Sequence, residues 1–296
     1  LTTAAALRTG KIKPDQEVDA PDTITLPGTS HSLENYGGES CGGGRTTFSH
    51  AFAESCNTPF AQLAMDVGDQ ALADEAEAWG FGESESIPLD VTPSTYPETS
   101  SEAETAMAGI GQASVRATPL MMAQVASTIA NNGTQMKPYL VSQTLDPDLN
   151  VVSTTSPKEA RSPISSQTAQ ALSSLMQQAV SDGTGSSAQV AGVSVAGKTG
   201  TTDYWRDLWW CGYTPQLSCS VWVGSRDNTL IQYSSTWAQD VWRHFMTDAL
   251  SDYPIEDFKK YDPPPYSAKF AGSSSDKKSD DTKTAEEKAA DDSSKD

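Results

Sequence analysis

Val193-Ser194-Val195-Ala196-Gly197-Lys198-Thr199-Gly200-Thr201-Thr202 is an apolar alternating run that ends in a cluster of functional groups. The alternation predicts a buried strand over about 193–201, with Lys198, Thr199, Gly200 and Thr201 near its end. Lys198 supplies a positive charge. Gly200 has no Cβ, so a ligand can lie flat against the strand there. Thr199 and Thr201 bring hydroxyl donors, and a backbone N–H left free on such a strand can serve an oxyanion. Together these groups suit an anionic, peptide-like ligand held at a sheet edge. Taken alone, the tetrapeptide reads equally as a lysine at a strand end beside a turn glycine.

Two further strands follow, about 207–214 and 217–224, and Pro215-Gln216 between them makes a hairpin. That hairpin is expected to set Cys211 and Cys219 roughly opposite each other, where a disulfide is geometrically reasonable. A final helix over 236–250 carries Trp237, Val241, Trp242, Phe245, Met246 and Ala249 on one face, expected to pack on the sheet. Before the first strand, 165–180 is amphipathic through Leu172, Leu175, Met176 and Ala179, and stops at Asp182-Gly183. Thr118-Pro119 opens another helix closed by Asn132-Gly133, and 136–155 alternates like strands. The pattern is that of an α+β fold, an antiparallel sheet covered by helices.

In the first third, Leu1 to Gly10 reads as the last turns of a helix, so the chain is expected to be a piece of a longer one. Residues 11–45 are loop-rich. Thr47 is the expected N-cap of a helix from Phe48 to about Glu54, and Thr58-Pro59 restarts a helix that runs to Val67-Gly68. Ser55 and Asn57 then fall in the corner between two helices, where polar side chains can project into a cleft. Their plainer reading is as caps of the second helix. An Ala/Glu-rich helix over 69–80 and an exposed Ser/Pro/acidic loop over 83–101 follow.

Composition excludes several partners. The 296 residues carry 20 Lys+Arg against 39 Asp+Glu, a net charge of −19, which disfavours nucleic acid and any polybasic grip on anionic lipid. No run approaches the roughly 20 apolar residues of a membrane-spanning helix. The four cysteines, 41, 56, 211 and 219, form no CxxC, and the three histidines are scattered, so neither a metal site nor a cofactor is expected. Cys41 with Cys56 and Cys211 with Cys219 fit two disulfides of an oxidising compartment; four buried thiols fit as well. Asp203, Arg206 and Asp207 read as a surface ion cluster, and Trp205, Trp209 and Trp210 as core or cleft wall. From about Pro263 the chain turns to Ser, Asp, Lys and Glu, with no aromatic after Phe270. That composition predicts a disordered tail over 263–296 after a domain over 1–262.

Ser55-Cys56-Asn57, Gly183-Thr184-Gly185 and Lys198-Thr199-Gly200-Thr201, in that order, resemble the penicillin-binding transpeptidase family of serine acyl-enzymes. Asn35-Tyr-Gly-Gly-Glu39, Ile110-Gly-Gln112, Ala117–Ala123, Ala130-Asn-Asn-Gly133 and Arg206–Pro215 resemble it too. The likeness covers nearly everything from Leu1 to about Leu250. The family's first signature, S-x-x-K, has no usable counterpart: Ser275-Asp-Lys-Lys278 lies in the tail. The resemblance therefore implies that the nucleophilic serine and its lysine lie just before Leu1, leaving the domain incomplete at its N-terminus.

It implies further that the parent protein cross-links peptidoglycan stem peptides, binds β-lactams, and works with other wall-synthesis proteins. It would do so at the extracytoplasmic face of a bacterial membrane, held by an anchor outside this chain. By position, Ser55 would pass protons and bond Lys198, and Asn57 would hold the donor's amide carbonyl. Lys198 would add positive potential, and Thr199 and Thr201, beside Gly200, would bind the substrate carboxylate. The Thr201 N–H would give one oxyanion donor. Competing readings are a D,D-carboxypeptidase or β-lactamase of the same fold, and a non-catalytic module that binds β-lactams or wall peptide.

Overall fold

Small apolar residues open the chain. In the computed structural model, Ala4, Ala5, Ala6 and Leu7 are buried in helix α1 (Thr2–Thr9), which Gly10 closes in the left-handed conformation. The structure describes residues 1–85, 87–202, 205–230 and 234–259. The expected tail over 263–296, and Asp203 of the expected ion cluster, lie outside these.

The stretch 11–45, read as loop, holds four short strands: β1 (Glu17–Ala20), β2 (Thr23–Thr25), β3 (Ser32–Glu34) and β4 (Gly44–Thr47). β1 pairs with β4 and β2 with β3. Runs this short show no alternation above the surrounding Gly and Pro. Helix α2 (Phe48–Ala53) starts as expected, with Thr47 accepting the His50 N–H. α3 (Asn57–Val67) and α4 (Asp69–Ala78) follow. Next comes α5 (Glu102–Gly109), a helix beyond those expected. Its signal was there: Ser101 accepts the Glu104 N–H, and the Glu104 carboxylate reaches back to the Ser100 N–H.

α6 (Pro119–Ala130) has the expected Thr118 cap and first-position proline. Four short strands occupy 135–161: β5 (Gln135–Met136), β6 (Gln143–Leu145), β7 (Val151–Thr154) and β8 (Glu159–Arg161). Helix α7 (Ser166–Asp182) buries Leu172, Leu175, Met176 and Ala179, as its periodicity requires. The central sheet then forms from β9 (Ala196–Thr201), β10 (Asp207–Tyr213) and β11 (Ser218–Gly224), in the order β11-β10-β9 with both pairs antiparallel. Helix α8 (Trp237–Ala249) comes last.

Alternation across this sheet sorts its two faces. Ala196 and Tyr213 join the larger core with α1, α2, α3, α4, α6 and α7. Val195, Leu208 and Trp210 join a second core with Ala238, Trp242 and Met246 of α8. The sheet is thus covered on both faces by helices.

Two expectations change. On α8 the buried stripe is Ala238, Trp242 and Met246. Trp237, Val241 and Phe245, expected to be packed, are 37%, 52% and 55% exposed. They lie about 100° round the helix from the residues that follow them, and a three-stranded sheet covers only one stripe. Cys211 and Cys219 are both free. In the hairpin Cys211 faces Ser220 and Cys219 faces Gly212. The two cysteines are one register step apart, so they point to opposite faces and cannot be bridged. Cys41 and Cys56, by contrast, form a disulfide with Cα atoms 6.1 Å apart.

Candidate active site

The end of α2 begins the site. The Cys56 N–H donates to the Ala51 carbonyl (3.0 Å) and the Ser55 N–H to the Phe52 carbonyl (3.2 Å). This is the two-bond helix ending in which glycine normally takes the left-handed position. Here Ser55 takes it, at φ 60°, a conformation that costs a non-glycine residue about 1 kcal/mol. The missing glycine is why the sequence showed only a corner. Ser55 is half-buried at that corner.

α3 begins one residue before Thr58, at Asn57. Its N-cap residue, Cys56, makes no side-chain cap. Asn35 supplies the cap from a distant loop: its Oδ1 accepts the backbone N–H of Asn57 (2.9 Å) and of Thr58 (3.1 Å). The Thr58 hydroxyl donates to the Pro21 carbonyl instead of capping. Asn57 is therefore fixed at its backbone, and its Nδ2 donates to the Glu34 carbonyl at 2.9 Å. The disulfide ties Cys56, between Ser55 and Asn57, to Cys41 of the same loop region.

Gly183 and Thr184 join this corner to β9. A Cβ on Gly183 would run into the Ala53 carbonyl, so only glycine brings the two chains that close. That carbonyl, orphaned at the end of α2, accepts both the N–H (3.1 Å) and the hydroxyl (3.2 Å) of Thr184. The Thr184 and Thr199 hydroxyls lie 3.0 Å apart, and Gln239 of α8 donates to the Thr184 carbonyl at 2.7 Å. Thr184, Asn35 and Phe52 were not singled out as site residues in the sequence. Their roles depend on contacts made across the fold.

Lys198 stands between the two halves. Its ammonium lies 5.9 Å from the centre of the Phe52 ring and donates to the Thr199 carbonyl (3.3 Å) and hydroxyl (3.2 Å). It is turned to Thr199, not hydrogen-bonded to Ser55. Burial pushes its pKa down to about 8, against the opposing pull of the Glu54 carboxylate. Burial also pushes the Cys211 thiol up to about 11, so it stays protonated.

β9 pairs only with β10 among the described residues, which leaves its outer edge open. Thr202 N–H donates to the Asp207 carbonyl at 3.1 Å, one step beyond Thr201 opposite Leu208. Because hydrogen-bonded and open pairs alternate in an antiparallel ladder, Gly200 and Lys198 bond to β10. The backbone N–H groups of Thr201 and Thr199 point out to the open edge. That edge can take an extended peptide as a fourth strand, with a cation and hydroxyls beside it.

Of the expected ion cluster, Arg206 and Asp207 lie among the described residues and form no ion pair with each other. Asp207 accepts from the Thr202 hydroxyl (3.1 Å) and the Trp222 indole (2.8 Å). Trp210 is buried against Trp242, while Trp205 is exposed. Among the described residues no group of three or more His, Cys, Asp or Glu is placed to hold a metal, and no helix is long and apolar enough to cross a membrane.

An edge strand ending in Lys-Thr-Gly-Thr, tied through Thr184 to the helix end before a Ser-x-Asn corner and within a helix-covered sheet, defines a class of penicillin-binding fold. A family model for the penicillin binding protein transpeptidase domain matches residues 1–246, and the chain belongs to that family. It is 41% identical over 224 residues to the peptidoglycan D,D-transpeptidase PbpA of Mycolicibacterium smegmatis, covering 73% of this chain and 45% of that protein. The PbpA of Mycobacterium tuberculosis is 37% identical over 267 residues, covering 86% of this chain and 54% of that protein. The chain thus spans about half the length of these relatives. A solved imipenem acyl-enzyme complex of penicillin-binding protein A from M. tuberculosis superposes with a TM-score of 0.77 at 34% identity, covering 84% of this chain and 58% of that one.

Proposed function

We propose that the protein containing this chain is a peptidoglycan D,D-transpeptidase that forms a serine acyl-enzyme, and that the chain supplies most of its substrate cleft. The observation that carries this is the open edge of β9. The Thr201 and Thr199 N–H groups face outward beside a half-buried Lys198, whose ammonium lies 5.9 Å from the Phe52 ring of the helix that runs into Ser55. A donor stem peptide adds antiparallel to that edge. Its terminal carboxylate takes the Thr199 and Thr201 hydroxyls and the field of Lys198. The Asn57 side-chain amide holds a donor amide group, and Ser55 relays protons beside it. The Thr201 N–H stabilises the oxyanion.

The nucleophilic serine and its lysine belong to residues before Leu1. The serine Oγ bonds the carbonyl carbon of the penultimate D-alanine. The bond to the terminal D-alanine breaks, and its amine leaves with a proton. An amine of a second stem then takes the acyl group and frees the serine. β-Lactams enter the same route, as the acyl-enzyme relative does. The Cys41–Cys56 disulfide supports an oxidising, extracytoplasmic location.

Intact mass after incubation with benzylpenicillin tests the reading, on this chain and on one extended upstream through S-x-x-K. An adduct on the extended chain alone is expected. No adduct on either would leave a binding module. An adduct on this chain would make one of its own serines the nucleophile, with Ser55 the first to mutate.

The extended chain should also show a pH limit. Lys198 carries its charge below its pKa of about 8 and loses it above. Acylation by benzylpenicillin is therefore expected to fall as pH rises through about 8. A rate flat from pH 7 to 10 would mean that the charge on Lys198 is not used.

A further inference from the structure

The open edge of β9 is not open along its whole length. The Trp205 indole N–H donates to the Tyr36 hydroxyl at 2.6 Å, between residues 169 positions apart. The two residues remain 40% and 45% exposed, so the pair borders solvent at the surface.

Each partner is anchored to one wall of the cleft. Tyr36 follows Asn35, whose side chain caps α3 at Asn57, and Glu34, whose carbonyl holds the Asn57 amide. Gly37 and Gly38 follow it at φ 66° and 73°, conformations a side chain would disfavour, so the loop can turn sharply enough to present the ring. Trp205 sits three residues beyond Thr202, its own N–H donating to the Thr202 carbonyl at 3.1 Å. Thr202 is in turn held by Asp207 through its N–H and hydroxyl. Trp205 also adopts φ 53°. A tryptophan is held in the left-handed region only where its surroundings impose it.

From this geometry we infer that Tyr36 and Trp205 form a hydrogen-bonded clasp across the C-terminal end of the β9 edge, and that the clasp selects acyl donors by the bulk of the group extending past Thr201. The inference rests on the transpeptidase-cleft reading above. A ligand that adds to β9 takes a position about 4.8 Å from it. A compact ligand ends before the clasp. A donor with a long or aromatic side chain must displace the hydrogen bond, and then meets two aromatic faces suited to apolar groups. Tyr36 and Trp205 are specificity-determining residues; neither is assigned a proton or a bond to the reacting atoms.

Tyr36→Phe and Trp205→Phe remove the hydroxyl and the indole N–H while keeping a ring at each place. In the full-length protein, both variants are expected to speed acylation by bulky benzylpenicillin roughly fivefold, the population change that follows from losing one hydrogen bond of ordinary net strength. Acylation by compact 6-aminopenicillanic acid should stay within about twofold, and the double variant should match either single one. Equal changes for both ligands, or additive effects of the two substitutions, would overturn the clasp.

A second measurement does not depend on acylation. With 15N-labelled tryptophan, Tyr36→Phe should shift the Trp205 indole N–H resonance and speed its exchange with solvent. If that resonance stays where it is, the clasp is wrong even in a protein that acylates normally. If the wild-type protein takes no β-lactam while the resonance moves, the clasp stands and the transpeptidase reading falls.

Discussion

Replacing Lys198 by alanine in the full-length protein should lower the rate of benzylpenicillin acylation roughly 10²–10³-fold, the usual cost of removing one preorganised electrostatic group from an acyl-transfer site. The loss follows from where the ammonium sits. It is half-buried at the end of an edge strand, over Phe52 and bonded to Thr199, in surroundings of lower dielectric than water. It is therefore placed to act on a carboxylate lying along that edge.

The same burial separates function from stability. Because Lys198 titrates near 8, not at its ordinary 10.5, folding below that pH works against its charge. That cost fades as pH rises from about 8 toward 10.5. Lys198→Met, which keeps the volume and removes the charge, should acylate as poorly as the alanine variant yet melt no lower than wild type. Wild-type acylation by either variant would remove β9 from the mechanism. A large drop in melting temperature for the methionine variant would show that the lysine is structural.

Removing the Cys41–Cys56 disulfide by serine substitution at both positions should cost about 3 kcal/mol, the loop-entropy effect for a closed loop of about this length. The bridge spans a sequence separation of 15. For a domain of this size that is a fall in melting temperature of roughly 6–12 °C. Acylation should suffer as well. Cys56 is the N-cap residue of α3 and stands between Ser55, in a left-handed conformation, and Asn57. With the bridge gone, the Asn35 cap and the Glu34 carbonyl are left to hold Asn57 in place. Thiol labelling under denaturing, non-reducing conditions should find two free cysteines, Cys211 and Cys219. Finding none would restore a second bridge, and finding four would abolish the first.

Much of the architecture was legible because it repeats locally. The α7 periodicity, the Thr118-Pro119 start of α6, the Thr47 cap of α2 and the Pro215-Gln216 hairpin are each written within a few residues, and the structure keeps them. The failures have physical causes of their own. The short strands in 11–45 were invisible because three or four residues carry no period. The Cys211–Cys219 bridge failed by one register step: a turn centred on Pro215-Gln216 sets Cys211 against Ser220, and a single step in a strand reverses the face.

The sequence by itself determined which groups this protein has and in what order: a helix end with Ser55 and Asn57, a Gly183-Thr184 turn, and a strand ending in Lys198-Thr199-Gly200-Thr201. These are local, set by capping, turn chemistry and alternation. What they face was decided only by the tertiary structure. Asn35 caps α3 from 22 residues away. The Ala53 carbonyl binds Thr184 across a separation of 131. Trp205 meets Tyr36 across 169. Such pairs leave no periodic trace in a single chain, because each half satisfies its backbone and side chain only once the sheet and helices have packed.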